Sequence, residues 1–268
     1  MFKDHVIWIT GASSGIGEAL ALQFAAEGAR LVLSARREQE LQRVKQLCTD
    51  QGLAASHVLV LTLDVTDHAS MPAALDSIIE TFGRIDMLIN NAGISQRSRC
   101  VDTDMETYRR LLEIDVLGQI ALTRQVLPQM YRQGSGHIAV TSSVAGKIGA
   151  PYRTGYCAAK HAVMGFFDAL RAEVDRDGIR VTTITPGFIR TNISVHALRG
   201  DGSEFGKVDA DIEGGMDVTR CAEVIMRGFR KGIPEIAVGE GKEMQALWLK
   251  RLFPSKVFKL AAKMAGPK

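Results

Sequence analysis

The stretch "GYCAAK" at residues 155–160 sets a phenol, Tyr156, four positions ahead of an amine, Lys160. On a helix, residues four apart leave the same face, so the two side chains would share one site. Downstream, Val163, Phe166, Phe167, Leu170 and Val174 recur at three-to-four spacing until Gly178 offers a stop. This pattern predicts an amphipathic helix with the pair near its start. A phenol with a free pKa of about 10 is a poor acid-base catalyst near neutrality, and a nearby ammonium favours its ionised form. The pair therefore suits proton transfer to or from an oxygen. The same spacing on an ordinary surface helix leaves both groups solvated, so the rest of the chain must decide.

A second candidate is the loop "TGASSGIG" at residues 10–17, with Gly11, Gly15 and Gly17 between an apolar run and the helical run "EALALQFAAEG". Glycine suits a tight turn, close approach of backbone to a pyrophosphate, and close packing of helix on strand. The free N–H groups at the helix start favour an anion, and Ser13, Ser14 and Ile16 lie in the same loop. The spacing is GxxxGxG, not the GxGxxG of the general dinucleotide fingerprint.

Seven apolar, β-branched runs can position these residues: 5–10, 29–34, 57–63, 85–90, 137–142, 179–185 and 235–238. Between most of them lies about one helix length, as at 15–27, 37–50 and 69–82. Continuous apolar strands joined by helical crossovers imply an α/β, doubly wound Rossmann fold: a seven-stranded parallel sheet with helices on both faces. Ligands gather at the strands' carboxyl ends in such a sheet. No linker divides the chain, which predicts a single domain over 1–268. A glycine-rich segment at 192–216 and a basic, apolar tail at 242–268 depart from the pattern.

The composition is 46% hydrophobic and 24% charged with a formal net charge of +3, too balanced to argue for a nucleic-acid partner. The opening residues carry no secretion signal, and no apolar run reaches the roughly 18 residues of a spanning helix. The chain reads as cytoplasmic. Cys48, Cys100, Cys157 and Cys221 form no CxxC, and the histidines form no HExxH. Neither a metal nor a disulfide framework is expected. Cys157 beside Tyr156 points about 100° away from it on a helix, which favours packing over nucleophilic work.

Five motifs in order, "TGASSGIG", "NNAG" at 90–93, a Ser at 143, "YCAAK" at 156–160 and "PGFIRT" at 186–191, resemble the short-chain dehydrogenase/reductase family. The finer likeness is to the branch with membrane-associated and steroid- or lipid-directed reductases. The resemblance implies Ser143, Tyr156 and Lys160 as the catalytic set, with Ser142 the nearby alternative serine. It also implies that Asn91, Ala92 and Gly93 line the adenosine ribose and that Asp64, with Val65 beside it, meets the adenine. Lys160 would hold the nicotinamide ribose, and Pro186, Gly187, Ile189 and Thr191 would close over the nicotinamide. Asp115, in "LLEIDVLGQIAL", departs from the pattern, since the family usually has Asn there. A carboxylate near Lys160 would favour its ammonium form.

In Rossmann sites an acid at the end of the second strand marks NAD, and a basic residue accommodates the 2′-phosphate of NADP. Here Ala35 takes the acid's place and Arg36 and Arg37 follow, so NADP(H) is favoured over NAD(H). Ser14 stands where many NADP-using relatives carry a second basic residue.

The expected substrate is a small-molecule apolar carbonyl or secondary alcohol, with Phe188, Ile193, Val195, Leu198, Phe205 and Met216 on one side of a pocket and Val144, Ile148 and Tyr152 on the other. Segment 192–216 reads either as a mobile lid or as a disordered surface loop. The tail, broken into two short helices at Pro254, either packs on the fold or a partner subunit, or makes a peripheral membrane contact. The resemblance implies a homodimer or homotetramer. Rival functions are a 3-oxoacyl carrier-protein reductase and a catalytically silent NADP-binding sensor or scaffold.

Overall fold

The computed structural model describes residues 1–264; the last residues of the expected tail, 265–268, lie outside the described residues. In chain order the elements are β1 (Val6–Thr10), α1 (Gly15–Ala26), β2 (Arg30–Ala35), α2 (Glu38–Asp50), β3 (Val58–Thr62), α3 (Met71–Phe82) and β4 (Met87–Asn90). There follow α4 (Met105–Leu112), α5 (Gly118–Gln133), β5 (Gly136–Thr141), α6 (Thr154–Glu173), β6 (Ile179–Pro186), α7 (Ala210–Glu213), α8 (Val218–Arg230), β7 (Glu235–Val238), α9 (Lys242–Leu252) and α10 (Pro254–Met264).

The seven strands form one sheet in the order β3-β2-β1-β4-β5-β6-β7, with every pairing parallel. Its continuous apolar strands are explained by burial on both faces. Along β1, Ile7 and Ile9 point into a core shared with Phe24 of α1 and Phe229 of α8, whereas Val6 and Trp8 point into a second core with Val126 of α5 and Phe167 of α6. The alternation of the strand thus feeds two cores from one run of four apolar residues. The winding reverses between β1 and β4, which leaves a crevice outside their carboxyl ends.

Two expectations change on folding and a third holds. Helix α6 stops at Glu173, and a 3-10 turn at Asp175–Asp177 precedes Gly178. Gly178 has φ +70°, and a Cβ there would come 2.5 Å from the Gly134 carbonyl oxygen, so this glycine serves the entry to β6. Segment 192–216 is not a structureless loop: the Leu198 N–H donates to the Ser95 carbonyl at 2.8 Å, and the Asp209 carboxylate takes Arg153 at 2.8 Å and Arg97 at 3.3 Å. The segment is thereby fastened to the start of α6. The tail does break at Pro254, because the residue before a proline is driven out of the helical region; Phe253 sits at φ −138°, ψ 66°.

Candidate active site

At the crevice, Thr10 ends β1 and its Oγ1 accepts the N–H groups of Asn91 at 3.0 Å and Ala92 at 3.1 Å. Asn91 Nδ2 donates back to the carbonyls of Thr10 and Gly11 at 3.2 and 3.3 Å, and Asn91 Oδ1 accepts from Thr141 Oγ1 at 3.1 Å. The side chain of Asn91 therefore ties together the ends of β1, β4 and β5. Over these ends lies a cavity of about 1130 Å³.

The glycine loop has the shape a dinucleotide needs. Gly11 and Gly15 hold φ +65° and +59°, and a Cβ on Gly11 would come 2.9 Å from Ala92 Cα. Ser14 precedes α1 without capping it through its side chain, so the first N–H groups of the helix are left for an anion. Ser13, Ser14, Gly15 and Ile16 line the cavity together with Gly11. Gly17 does not; a Cβ there would fall 2.3 Å from the Gly11 carbonyl oxygen, so its work is close packing beneath the loop. A Cβ on Gly15 would stand 3.2 Å from Thr191 Cγ2, which shows that the loops after β1 and β6 meet over the crevice.

Arg36, Arg37, Asp64, Val65, Ala92, Gly93, Pro186, Gly187, Ile189 and Thr191 all border the same cavity. Arg37 Nη2 donates to Ser13 Oγ at 3.3 Å, whereas Arg36 has no ion pair among the described residues. Asp64 Oδ1 accepts from the N–H and hydroxyl of Thr66 at 3.0 and 2.9 Å, shaping its own turn. Arg43, which sequence reasoning passed over, grips Glu18 through two bonds of 2.8 Å and reaches the Ser13 carbonyl at 3.3 Å. It braces the loop from behind.

Tyr156 and Lys160 sit on one face of α6, with Lys160 Nζ 5.6 Å from the centre of the Tyr156 ring. Lys160 Nζ donates to the Thr141 carbonyl at 3.1 Å and lies 3.2 Å from Asp115 Oδ2. Asp115 comes from a single π-helical turn, Glu113–Leu117, between α4 and α5, and its Oδ1 accepts the Ile94 N–H at 2.7 Å. Burial opposes the ammonium of Lys160, but the Asp115 carboxylate, with its charge and its hydrogen bond, outweighs it and holds the group above the ordinary lysine range. Burial likewise pushes the Asp115 carboxyl up, against the pull of Lys160 and the Ile94 N–H. The sequence expectation of a carboxylate at the lysine is met.

The two serines separate clearly. Ser142 is buried and its hydroxyl donates to the Lys160 carbonyl at 3.1 Å. Ser143 is only half-buried; its Oγ accepts the Ala145 N–H at 3.1 Å and makes one long contact of 3.5 Å to the Pro186 carbonyl. Its hydroxyl proton is therefore the more available of the two. Cys157 accepts the Ala150 N–H at 3.3 Å, and burial pushes its thiol up.

Gln96 was missed altogether. Fully buried, its Oε1 accepts the N–H groups of Gly155 at 2.7 Å and Tyr156 at 3.3 Å, capping α6 where Arg153 supplies no side-chain cap. A lone glutamine after a strand carries no signal for that role.

On the apolar side, Phe188, Ile193, Leu198, Val144 and Ile148 reach the cavity, whereas Val195, Phe205, Met216 and Tyr152 do not. Met216 is drawn into the core and Tyr152 lies under the Arg97 guanidinium. In their place the tail supplies Ala246, Val257, Leu260, Ala261 and Met264. The last four follow i, i+3, i+4, i+7 spacing, a signal present in the sequence. The tail thus packs over the cavity through this stripe. Among the described residues no helix is long and apolar enough to cross a membrane.

Residues 5–201 match the family model of the short chain dehydrogenase. The chain is 41% identical over 263 residues to the Homo sapiens protein named dehydrogenase/reductase SDR family member 7, covering 97% of this chain and 78% of that one. Among solved structures, a short-chain dehydrogenase/reductase from Burkholderia phymatum in complex with NAD superposes with a TM-score of 0.83 at 24% identity, over 97% of this chain and 95% of the other. An alcohol dehydrogenase from the archaeon Thermococcus sibiricus, complexed with 5-hydroxy-NADP, gives a TM-score of 0.74 at 28% identity, over 88% and 97%. With its parallel sheet, glycine loop and shared cavity, the chain belongs to the short-chain dehydrogenase/reductase family of nicotinamide-dependent oxidoreductases.

Proposed function

We propose that the chain is an NADP(H)-dependent oxidoreductase acting between an apolar carbonyl and the corresponding secondary alcohol. The observation that carries this reading is the meeting of Ser143, Tyr156 and Lys160, the last held from behind by buried Asp115, in one cavity that has Arg36 and Arg37 on its border. When bound, the dinucleotide supplies or accepts the hydride. Tyr156 holds the proton that moves to or from the substrate oxygen, and Lys160 places a positive charge beside the phenol. Ser143 donates a hydrogen bond to the same oxygen and polarises it. Arg36, with no carboxylate partner among the described residues, is the group set to take a 2′-phosphate. The apolar walls from Phe188, Ile193, Leu198 and the tail favour an uncharged, hydrophobic substrate. A homodimer or homotetramer is the assembly expected from the family resemblance, to be read by light scattering.

The test is NADPH and NADH oxidation across a panel of hydrophobic ketones, aldehydes and quinones, with Tyr156→Phe alongside. The variant is expected to lose about 10²–10⁴-fold in turnover while retaining NADPH binding. Undiminished turnover in the variant would remove Tyr156 from its role, and tight NADPH binding without turnover on any panel member would favour a sensor.

A further inference from the structure

The tail differs from the rest of the chain in charge. Residues 242–268 hold seven of the 33 Lys and Arg residues but only Glu243 of the 30 acidic ones, so the 241 residues before them carry a net negative charge although the whole chain is at +3. The tail is also where large apolar side chains stand in solvent: Trp248 is 73% exposed, Leu252 68% and Phe258 61%, with Phe253 between them at half exposure. Both helices are nonetheless seated. In α9, Glu243 accepts the Phe188 N–H at 3.3 Å and Lys250 Nζ donates to the Lys147 carbonyl at 2.6 Å; in α10, Val257 is buried. The outward groups are therefore held facing away from the body.

We propose that α9 and α10 together form a docking face for an anionic lipid bilayer. Trp248 and Leu252 share one side of α9 at i, i+4, and Phe253 and Phe258 extend the apolar patch across the break. Lys256, Lys259 and Lys263 follow i, i+3, i+7 along α10, Lys263 at the edge where the helix also borders the cavity, and Arg251 stands near the end of the preceding helix. None of these four cations has an ion pair among the described residues, and Lys256 Nζ instead lies 4.7 Å from the centre of the Phe253 ring. Interleaved aromatics and lysines are what an interfacial helix presents to headgroups and acyl chains. The core of a subunit interface is depleted of lysine, which sets this face apart from a site for a second copy. The tail's charge is complementary to an acidic surface. The proposal does not rest on the reaction assigned above, because docking is read without substrate or cofactor.

The chain has a built-in reporter. Of its two tryptophans, Trp8 is fully buried with its indole N–H on Ser34 Oγ at 2.8 Å, so a change in emission on docking reports Trp248. The full chain is mixed with phosphatidylcholine vesicles, with or without about a third of phosphatidylserine, and binding is followed by emission and by co-sedimentation. The expected result is a blue shift and sedimentation with the anionic vesicles only, abolished at about 1 M salt. Lys256→Glu with Lys259→Glu should weaken partitioning about tenfold or more, and Leu252→Glu with Phe258→Glu should abolish it with the far-ultraviolet circular dichroism unchanged. No emission change with any vesicle, or equal binding to neutral vesicles, would overturn the proposal. So would a dimer whose Trp248 emission is already blue and shifts to the red on dilution, which would assign the face to a second copy.

Discussion

Asp115 Oδ2 lies 3.2 Å from Lys160 Nζ with both side chains withdrawn from water. The carboxylate helps keep Lys160 an ammonium beyond the ordinary lysine range, against the cost of burial. A group whose folded pKa is raised contributes stability below its unfolded pKa and loses it as pH rises through the folded value. For Lys160 that window opens above 10.5.

Asp115→Asn removes the negative charge while leaving an oxygen for the Ile94 N–H. Lys160 then loses its proton at lower pH, and the alkaline limb of the kcat/KM profile moves downward in pH with activity retained near neutrality. The expected stability loss is about 1–3 kcal/mol, against about 3–5 kcal/mol for Asp115→Ala, which leaves the Ile94 N–H without its acceptor as well as the Lys160 charge without its partner. An unchanged pH profile in the asparagine variant would show that the charge does not govern Lys160.

Ser142 and Ser143 are adjacent but should fail differently. Ser143→Ala is expected to lower kcat by about 10²–10³-fold with little change in melting temperature. Ser142→Ala should cost about 1 kcal/mol of stability, the worth of a typical buried hydrogen bond, and spare most of the turnover. Denaturant unfolding beside steady-state kinetics separates the two, and the reverse pattern would transfer the polarising role to Ser142.

Gln96→Leu removes the acceptor for the first N–H groups of α6 while keeping the volume. A lost helix cap costs about 1–2 kcal/mol, and because the affected turn carries Tyr156, kcat should fall with KM for the dinucleotide little changed. Gln96→Glu, which keeps an acceptor at the same place, should restore most of the turnover. Failure of both variants alike would mean that Gln96 does not act through the α6 N–H groups.

Arg36→Ala with Arg37→Ala should weaken NADPH binding by tenfold or more, about 1.4 kcal/mol, while NADH binding stays level. Fluorescence titration with each cofactor reads the difference directly. Equal losses for the two would show that the arginines do not recognise the phosphate that distinguishes them.

The alternating strands and helices, the phosphate loop and the pairing of Tyr156 with Lys160 are legible in the chain before it folds. These are short-range properties: apolar period, glycine position, and four-residue spacing on one helix. The break of the tail at Pro254 is of the same kind. Only the packed fold separates the two serines, because Ser142 spends its proton on a carbonyl of α6 that no local pattern places beside it, while Ser143 keeps only a long contact to Pro186. It also decided that Gln96 caps the helix of Tyr156, and that Arg43 braces the glycine loop, since each bond joins elements brought together only by the order of the strands. Segment 192–216 read as loose because its glycines are local, while the ties that hold it, Asp209 to Arg97 and Arg153, are not. The tail's apolar stripe was visible, but whether it faced lipid, a partner or the cavity depended on where α9 and α10 were seated. Burial of Val257 beneath a surface that leaves Trp248 in solvent gave the pair two different faces.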